Sequence, residues 1–222
     1  YILSKKNLGF GGGNNLGAKH AKGEYLFFLN PDTEIVGDSI DILYNFLKRT
    51  KKAGIVSPLL INTGLKPLNF QGTRELTPLN AVFSLSFIKK IFPQKNILNS
   101  SYLEKWNLKT PREVDVIPGA ALMIKKVLFE KVGSFDEKFF LYFEENDLSN
   151  RVKKLGYDLF IVPQSRIIHK IGQSTKNVKN IENFYIKSRF LYFKKHYGVI
   201  KALSTELILR INKTIALIIL MM

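Results

Sequence analysis

Two groups of acidic side chains stand where metal and acid–base chemistry is done. Asp32 and Glu34 follow the apolar run Tyr25-Leu26-Phe27-Phe28-Leu29 across Asn30 and Pro31. The run reads as a buried strand, and Pro31 keeps it from continuing as a central one. Both carboxylates are then expected at a strand's carboxyl end, where open α/β sheets hold their ligands. A hard, oxygen-ligated cation suits Asp32, but one carboxylate is too sparse for a protein-only cage. Mg2+ or Mn2+ shared with substrate phosphate and water is the form that fits. Glu34 has the plainer reading of a solvated side chain. The second group, Glu144, Glu145 and Asp147, lies behind the aromatic run Phe139–Phe143. Crowded, partly desolvated carboxylates repel one another, which raises the proton affinity of at least one and suits it to act as a general base. Asp147 has a structural partner in Arg151 one helical turn on, whereas Glu145 has none nearby and is the stronger candidate. His169, ahead of Gly172-Gln173-Ser174, is open to a metal or phosphate role, although an isolated histidine is more often structural.

The elements that must position these groups alternate along the chain. Asn7-Leu8-Gly9-Phe10-Gly11-Gly12-Gly13-Asn14-Asn15 reads as a flexible turn rich in backbone donors, able to lie against a phosphate or a sugar. A helix is expected from Asn14 to Ala21, with Asn14 or Asn15 as its N-cap. A second, from Asp38 to about Thr50, turns Ile40, Leu43, Phe46 and Leu47 to one side. Strands are expected at 54–58 and 159–162, each ending at its proline, and at 114–124, interrupted by Pro118-Gly119. Short helices are expected at 126–132 and 148–155 and a long basic, aromatic one at 179–198. The pattern predicts an α/β fold around a mostly parallel central sheet flanked by helices. The stretch 62–110 reads as a long excursion with one helical patch at 81–88, and excursions of this kind are often lids or binding loops. Trp106 within it can stack on a sugar, although packing is the commoner role. The glycines match neither a dinucleotide fingerprint, whose third glycine position holds Asn14, nor a P-loop.

With 222 residues, 45% of them hydrophobic, the chain can bury a sizeable core, and the absence of cysteine excludes disulfides and thiolate chemistry. A net charge of +16 attracts nucleic acid, an anionic membrane or anionic substrates. Much of the excess lies beyond residue 165, interleaved with Phe184, Tyr185, Phe190, Tyr192, Phe193 and Tyr197, which fits an amphipathic segment at an anionic membrane surface. A solvated basic helix with a buried aromatic face is the competing reading. A non-catalytic basic module binding nucleic acid or membrane is the alternative to an enzyme, but no nucleic-acid-binding motif is visible.

Five segments in order resemble glycosyltransferase family 2, in its bacterial rhamnosyltransferase-like branch. They are Asn7–Gly17, Leu29-Asn30-Pro31-Asp32-Thr33-Glu34, Pro118-Gly119-Ala120-Ala121, Gly133–Leu148 and His169. The resemblance spans residues 1 to about 175, leaving 176–222 as a basic, aromatic helical tail. It implies a GT-A fold, here beginning after the family's first βα units, and an enzyme that moves a sugar from a nucleotide-diphosphate donor to a saccharide or lipid-linked acceptor with inversion. By position, it implies Glu145 as the catalytic base, where the family usually has Asp, with Asp147 in reserve. It places Asp32 and His169 at the metal, and Asn7, Gly9, Phe10, Gly12, Asn15, Asn30, Asp32, Gly119 and Ala120 beside the donor. It further implies bacterial polysaccharide synthesis by a cytoplasmic protein, peripheral at the inner face of the cell membrane.

Overall fold

The computed structural model describes residues 1–85, 106–172, 176 and 179–221. In chain order the helices are α1 (Gly9–His20), α2 (Ser39–Arg49), α3 (Pro78–Leu85), α4 (Lys126–Lys131), α5 (Glu144–Lys154), α6 (Ile181–Tyr197) and α7 (Val199–Met221). The strands are β1 (Tyr25–Leu29), β2 (Thr33–Val36), β3 (Ala53–Ile61), β4 (Arg112–Val114), β5 (Ala121–Lys125) and β6 (Asp158–His169). They form one sheet in the order β1-β5-β3-β6-β2, with β4 also on β6. All nine residues of β3 are buried, as befits the central strand.

The α/β architecture matches the sequence pattern, but the sheet is mixed rather than mostly parallel. Among the described residues only β3 and β6 pair in parallel; β1–β5, β3–β5, β2–β6 and β4–β6 are antiparallel. Alternation of strand and helix implies a parallel sheet only if successive strands lie in the same sense, and here no two strands adjacent in sequence are neighbours in the sheet. The expected strand ends at Pro58 and Pro163 are also corrected, because β3 and β6 run through both. The ladder steps from Pro58↔Val162 to Leu59↔Arg166, so each proline sits at the irregularity, where no regular ladder bond is asked of it. β6 is long enough to share one edge between two partners: β4 along Leu159–Ile161 and β2 along Arg166–His169.

The strands alternate faces. Leu26, Phe28, Ile55, Leu122 and Ile124 pack under α1, α4 and α5 with Phe129, Phe135 and Leu148. Val56 and Met123 point the other way, onto Leu43 and Leu47 of α2. Ile40, expected on the same buried side, is 40% exposed.

The glycine-rich stretch is helix, not a flexible turn, and α1 begins five residues before the expected cap. Propensity is overridden by packing. A Cβ on Gly9, at φ +69°, would lie 2.1 Å from the Phe140 carbonyl oxygen, and one on Gly11 would lie 3.1 Å from Phe135 Cβ. Lacking side chains, these residues let the helix press onto segment 135–140, and the Phe10 N–H donates to the Phe140 carbonyl at 2.9 Å.

The basic, aromatic helix α6 is built into the body of the protein rather than set apart as a membrane-facing tail. Tyr192 and Phe193 are fully buried and cluster with Phe139, Phe143 and Ala81 of α3. α7 folds back along α6, and the buried Arg189–Glu206 pair joins them through bonds of 2.7 and 2.8 Å.

Candidate active site

The exits of β1 and β6 and the entry to β5 converge on a cavity of ≈ 640 Å3. Asn30 and Pro31 line it after β1, Gly119 and Ala120 before β5, and His169 at the end of β6. The Asn30 N–H donates to the Ala120 carbonyl at 2.9 Å, which fixes the two turns against each other. Asn7, Gly9 and Phe10 enter from the start of α1, and Glu144 and Glu145 from the first turn of α5.

A backbone reversal aims these last carboxylates. Tyr142 and Phe143 both adopt left-handed conformations, φ 70° and 69°, a strain of roughly 1–3 kcal/mol each for such residues. Phe143 is held there by burial against Tyr185 and Tyr192, with ring centroids at 5.3 and 5.6 Å. The reversal starts α5 with Glu144 and Glu145 in the cavity wall and turns Asp147 to the rear.

The three carboxylates consequently differ in chemistry. Burial raises the Glu145 carboxyl from 4.5 to about 7, against weaker opposition from backbone N–H groups. Its Oε2 is buried with no hydrogen-bond partner among the described residues, and Gly119 lies against its side chain. Burial and then the charge of Glu145 raise Glu144 well above its usual range. Asp147 goes the other way. Burial opposes its ionisation, but His196, Arg151 and Lys195 outweigh burial and hold it at about 2. His196 Nε2 is 2.8 Å from Asp147 Oδ1, Lys195 Nζ 2.7 Å, and Arg151 Nη2 2.7 Å from Oδ2. Fully buried in this cluster and absent from the cavity wall, Asp147 is a structural anion, which removes it as a reserve base.

Asp32 is buried one layer behind the wall, with Oδ1 3.5 Å from Nε2 of His169. Strand pairing sets this contact: Thr33 lies opposite His169, and the Lys170 N–H donates to the Asp32 carbonyl at 2.9 Å. Donors bound at about 2.0–2.2 Å to one ion stand roughly 3–4 Å apart, so the pair suits a divalent cation. Among the described residues no group of three or more His, Cys, Asp or Glu could hold a metal, so substrate phosphate and water would complete the shell. Glu34 points away and pairs with Lys170.

Asn15 and Gly12 are not in this cavity. Asn15 is a buried clamp: its amide donates to the Phe135 carbonyl at 2.9 Å and to Glu137 at 3.0 Å, and its oxygen accepts from the Phe135 N–H. Gly12 packs beside Leu8 and Glu137. Trp106 is half-buried, with its indole N–H on the Thr110 carbonyl, and also lies outside the wall. Sequence reasoning missed Phe70, Thr73, Arg74 and Leu76, which line the cavity from the excursion, and Tyr185 from α6. Excursion length was the only signal for the former. The helical patch at 81–88 appears as α3, and its part from Ser86 onward falls outside the described residues.

The family model described as Glycosyl transferase family 2 matches residues 1–130. The low-salt glycan biosynthesis hexosyltransferase Agl10 of Haloferax volcanii is 28% identical over 218 residues, covering 96% of this chain and 64% of that protein. The N-acetylglucosaminyl-diphospho-decaprenol L-rhamnosyltransferase of Mycobacterium tuberculosis is 26% identical over 152 residues, 68% of this chain and 48% of that one. The rhamnosyltransferase WbbL of Escherichia coli is 25% identical, covering 84% of this chain and 70% of its own length. The chain thus spans about half to two thirds of the length of the first two relatives. Among solved structures, GalNAc-T7 with UDP, GalNAc and Mn2+ superposes with a TM-score of 0.54 at 19% identity, over 76% of this chain and 31% of that one. That likeness shows a shared fold, the GT-A fold.

Proposed function

Because the chain belongs to glycosyl transferase family 2, we propose that its cavity transfers a sugar from a nucleotide-diphosphate donor to a hydroxyl of a lipid-linked saccharide. Rhamnose is the candidate sugar, and the setting is bacterial cell-surface polysaccharide synthesis at the cytoplasmic face of the membrane. Two relatives are named rhamnosyltransferases, and the name of one carries a diphospho-decaprenol acceptor.

The observation that carries the reading is Glu145, a half-buried residue whose Oε2 is buried without a hydrogen-bond partner among the described residues and whose proton affinity is raised to about 7, set in the wall of the cavity that also holds His169. A base poised near neutrality is suited to take the acceptor hydroxyl's proton as its oxygen attacks the sugar carbon. The new carbon–oxygen bond forms as the bond to the diphosphate breaks, and attack from the opposite face inverts the carbon. Asp32 and His169 would hold a Mg2+ or Mn2+ ion, and Asn30 and Pro31 border the same end of the cavity. When bound, such an ion offsets charge on the departing diphosphate. Gly119 keeps the space over the Glu145 side chain open, since a Cβ there would sit 3.7 Å from it.

The test is transfer of labelled sugar to a lipid-linked acceptor. Glu145→Gln is expected to abolish product while binding of the nucleotide diphosphate persists. Turnover within threefold of the parent would reject the assignment.

A further inference from the structure

The outer face of α7 is a feature of the molecule that the cavity does not use. Its inner face is polar and small at the packing surface: Ala202, Thr205, Glu206 and Leu209 are buried, and Glu206 pairs with Arg189 of α6. The opposite face is apolar and open to solvent. Ile200 is 81% exposed, Leu203 57%, Leu207 60% and Ile211 50%, with Ile208 and Ile215 continuing the row. At 100° per residue these six side chains fall within an arc of about 140°, centred opposite the buried face and roughly 22 Å long. Ser204 and Thr214 are the exposed polar residues within this arc, each with its hydroxyl turned back onto a helix carbonyl, and a mainly apolar band of this extent marks a surface meant to be covered.

The charges around the band say by what. Lys201 and Arg210 are exposed and stand about 20° outside its two edges, one on each side. The neighbouring helix adds exposed Lys187 and Lys194, while Lys213 beyond Arg210 is taken up by Glu182. The only acidic residue of α7 is the buried Glu206. Apolar side chains bounded by cations are the pattern of a helix lying in the headgroup layer of an anionic bilayer, where its face enters the acyl boundary and lysines and arginines meet lipid phosphates. No helix among the described residues is long and apolar enough to cross a membrane.

We propose that α7, and not the aromatic helix α6, is the membrane-contacting element, lying in the plane of an anionic bilayer through Ile200, Leu203, Leu207, Ile208, Ile211 and Ile215. α6 has no such face, because its aromatic side chains are spent on the core with Phe139 and Phe143. The antiparallel return of α7 brings Lys213 to Glu182, one turn before Tyr185 in the cavity wall, so the lipid-bound helix and the cavity share one support. The inference rests on the surface of α7 alone and stands whether or not the cavity transfers a sugar.

Vesicle co-sedimentation of the 222-residue chain tests it. Vesicles of 30% phosphatidylglycerol in phosphatidylcholine should bind the chain, with affinity falling as salt rises, and pure phosphatidylcholine should bind it at least tenfold less. Leu207→Asp with Ile211→Asp should weaken binding tenfold or more at an unchanged melting temperature, since both side chains are exposed. Lys51→Glu with Lys52→Glu makes the same four-unit reduction in charge when Lys201→Glu and Arg210→Glu is its comparison; the first pair should leave binding within twofold and the second should remove the preference for anionic lipid. Failure to bind anionic vesicles, or equal binding by the Leu207→Asp/Ile211→Asp protein, overturns the proposal. So does a dimer in sedimentation velocity that those two substitutions dissolve without any vesicle binding, because the face would then belong to a second copy.

Discussion

Replacing Glu145 by glutamine should make the protein slower and more stable at once, and the two effects come from the same burial. In the folded chain the carboxyl is raised from 4.5 to about 7. A group raised in this way favours the folded state at pH below 4.5 and loses that advantage as pH climbs through 7. Above pH 8 the folded chain must carry an ionised carboxylate in a poor environment. At about 1.36 kcal/mol per tenfold change in proton affinity, the penalty is about 3 kcal/mol, shared with the adjacent Glu144. Glu145→Gln removes it. Urea unfolding at pH 8 should show the variant more stable by up to about 3 kcal/mol, and the gain should vanish by pH 4.5. Loss of a general base should slow transfer by about 10²–10⁴-fold. For the parent, the ionised fraction of a group with pKa near 7 rises about tenfold between pH 6 and 8, and kcat/KM should rise with it. A variant less stable than the parent at pH 8, or a parent rate that is flat from pH 6 to 8, would refute the reasoning.

Other expectations follow from single contacts. Asp147 is held at about 2 against an ordinary 3.8, so it stabilises the fold above pH 4 and the contribution fades as pH falls through 2. Asp147→Asn should therefore cost about 2 kcal/mol at pH 7, read by urea unfolding, and flatten the acid limb of stability. Arg189→Ala leaves the buried Glu206 unpaired and should cost about 3–5 kcal/mol by the same measurement, whereas removing both partners should cost less. Gly9→Ala places a methyl group on the Phe140 carbonyl at positive φ; it should lower the melting temperature and weaken binding of nucleotide diphosphate. Asp32→Ala should abolish the Mn2+ dependence of nucleotide diphosphate binding in calorimetry, because it removes one of the two side chains placed to hold the ion.

What could be read from the chain was set by local chemistry, and what could not was set by contacts between distant segments. Asp32 after β1 and the acidic start of α5 were legible because a proline and an aromatic-to-acidic switch mark those junctions in sequence. The division of labour among Glu144, Glu145 and Asp147 was half legible. The Arg151 partner lies one turn away, but Lys195 and His196 arrive from α6, some fifty residues on. Asn15 and the glycines of α1 misled for the same reason: their task is to fit segment 135–140, which no local pattern announces. Strand order was beyond reach because each neighbour comes from elsewhere in the chain, and prolines that usually end strands were absorbed by one irregular step between β3 and β6.

The register of β2 on β6 governs more than the course of two strands. Asp32 and His169 meet because β2 and β6 are in one particular alignment, and neither side chain chooses the other. Sliding β6 by a single residue would carry His169 to the opposite surface of the sheet. The cation pair is thus a matter of counting: it tolerates exchange of the side chains around it but not the gain or loss of one residue between Pro163 and His169. A deletion there would silence the pair while leaving every residue of the cavity in the chain.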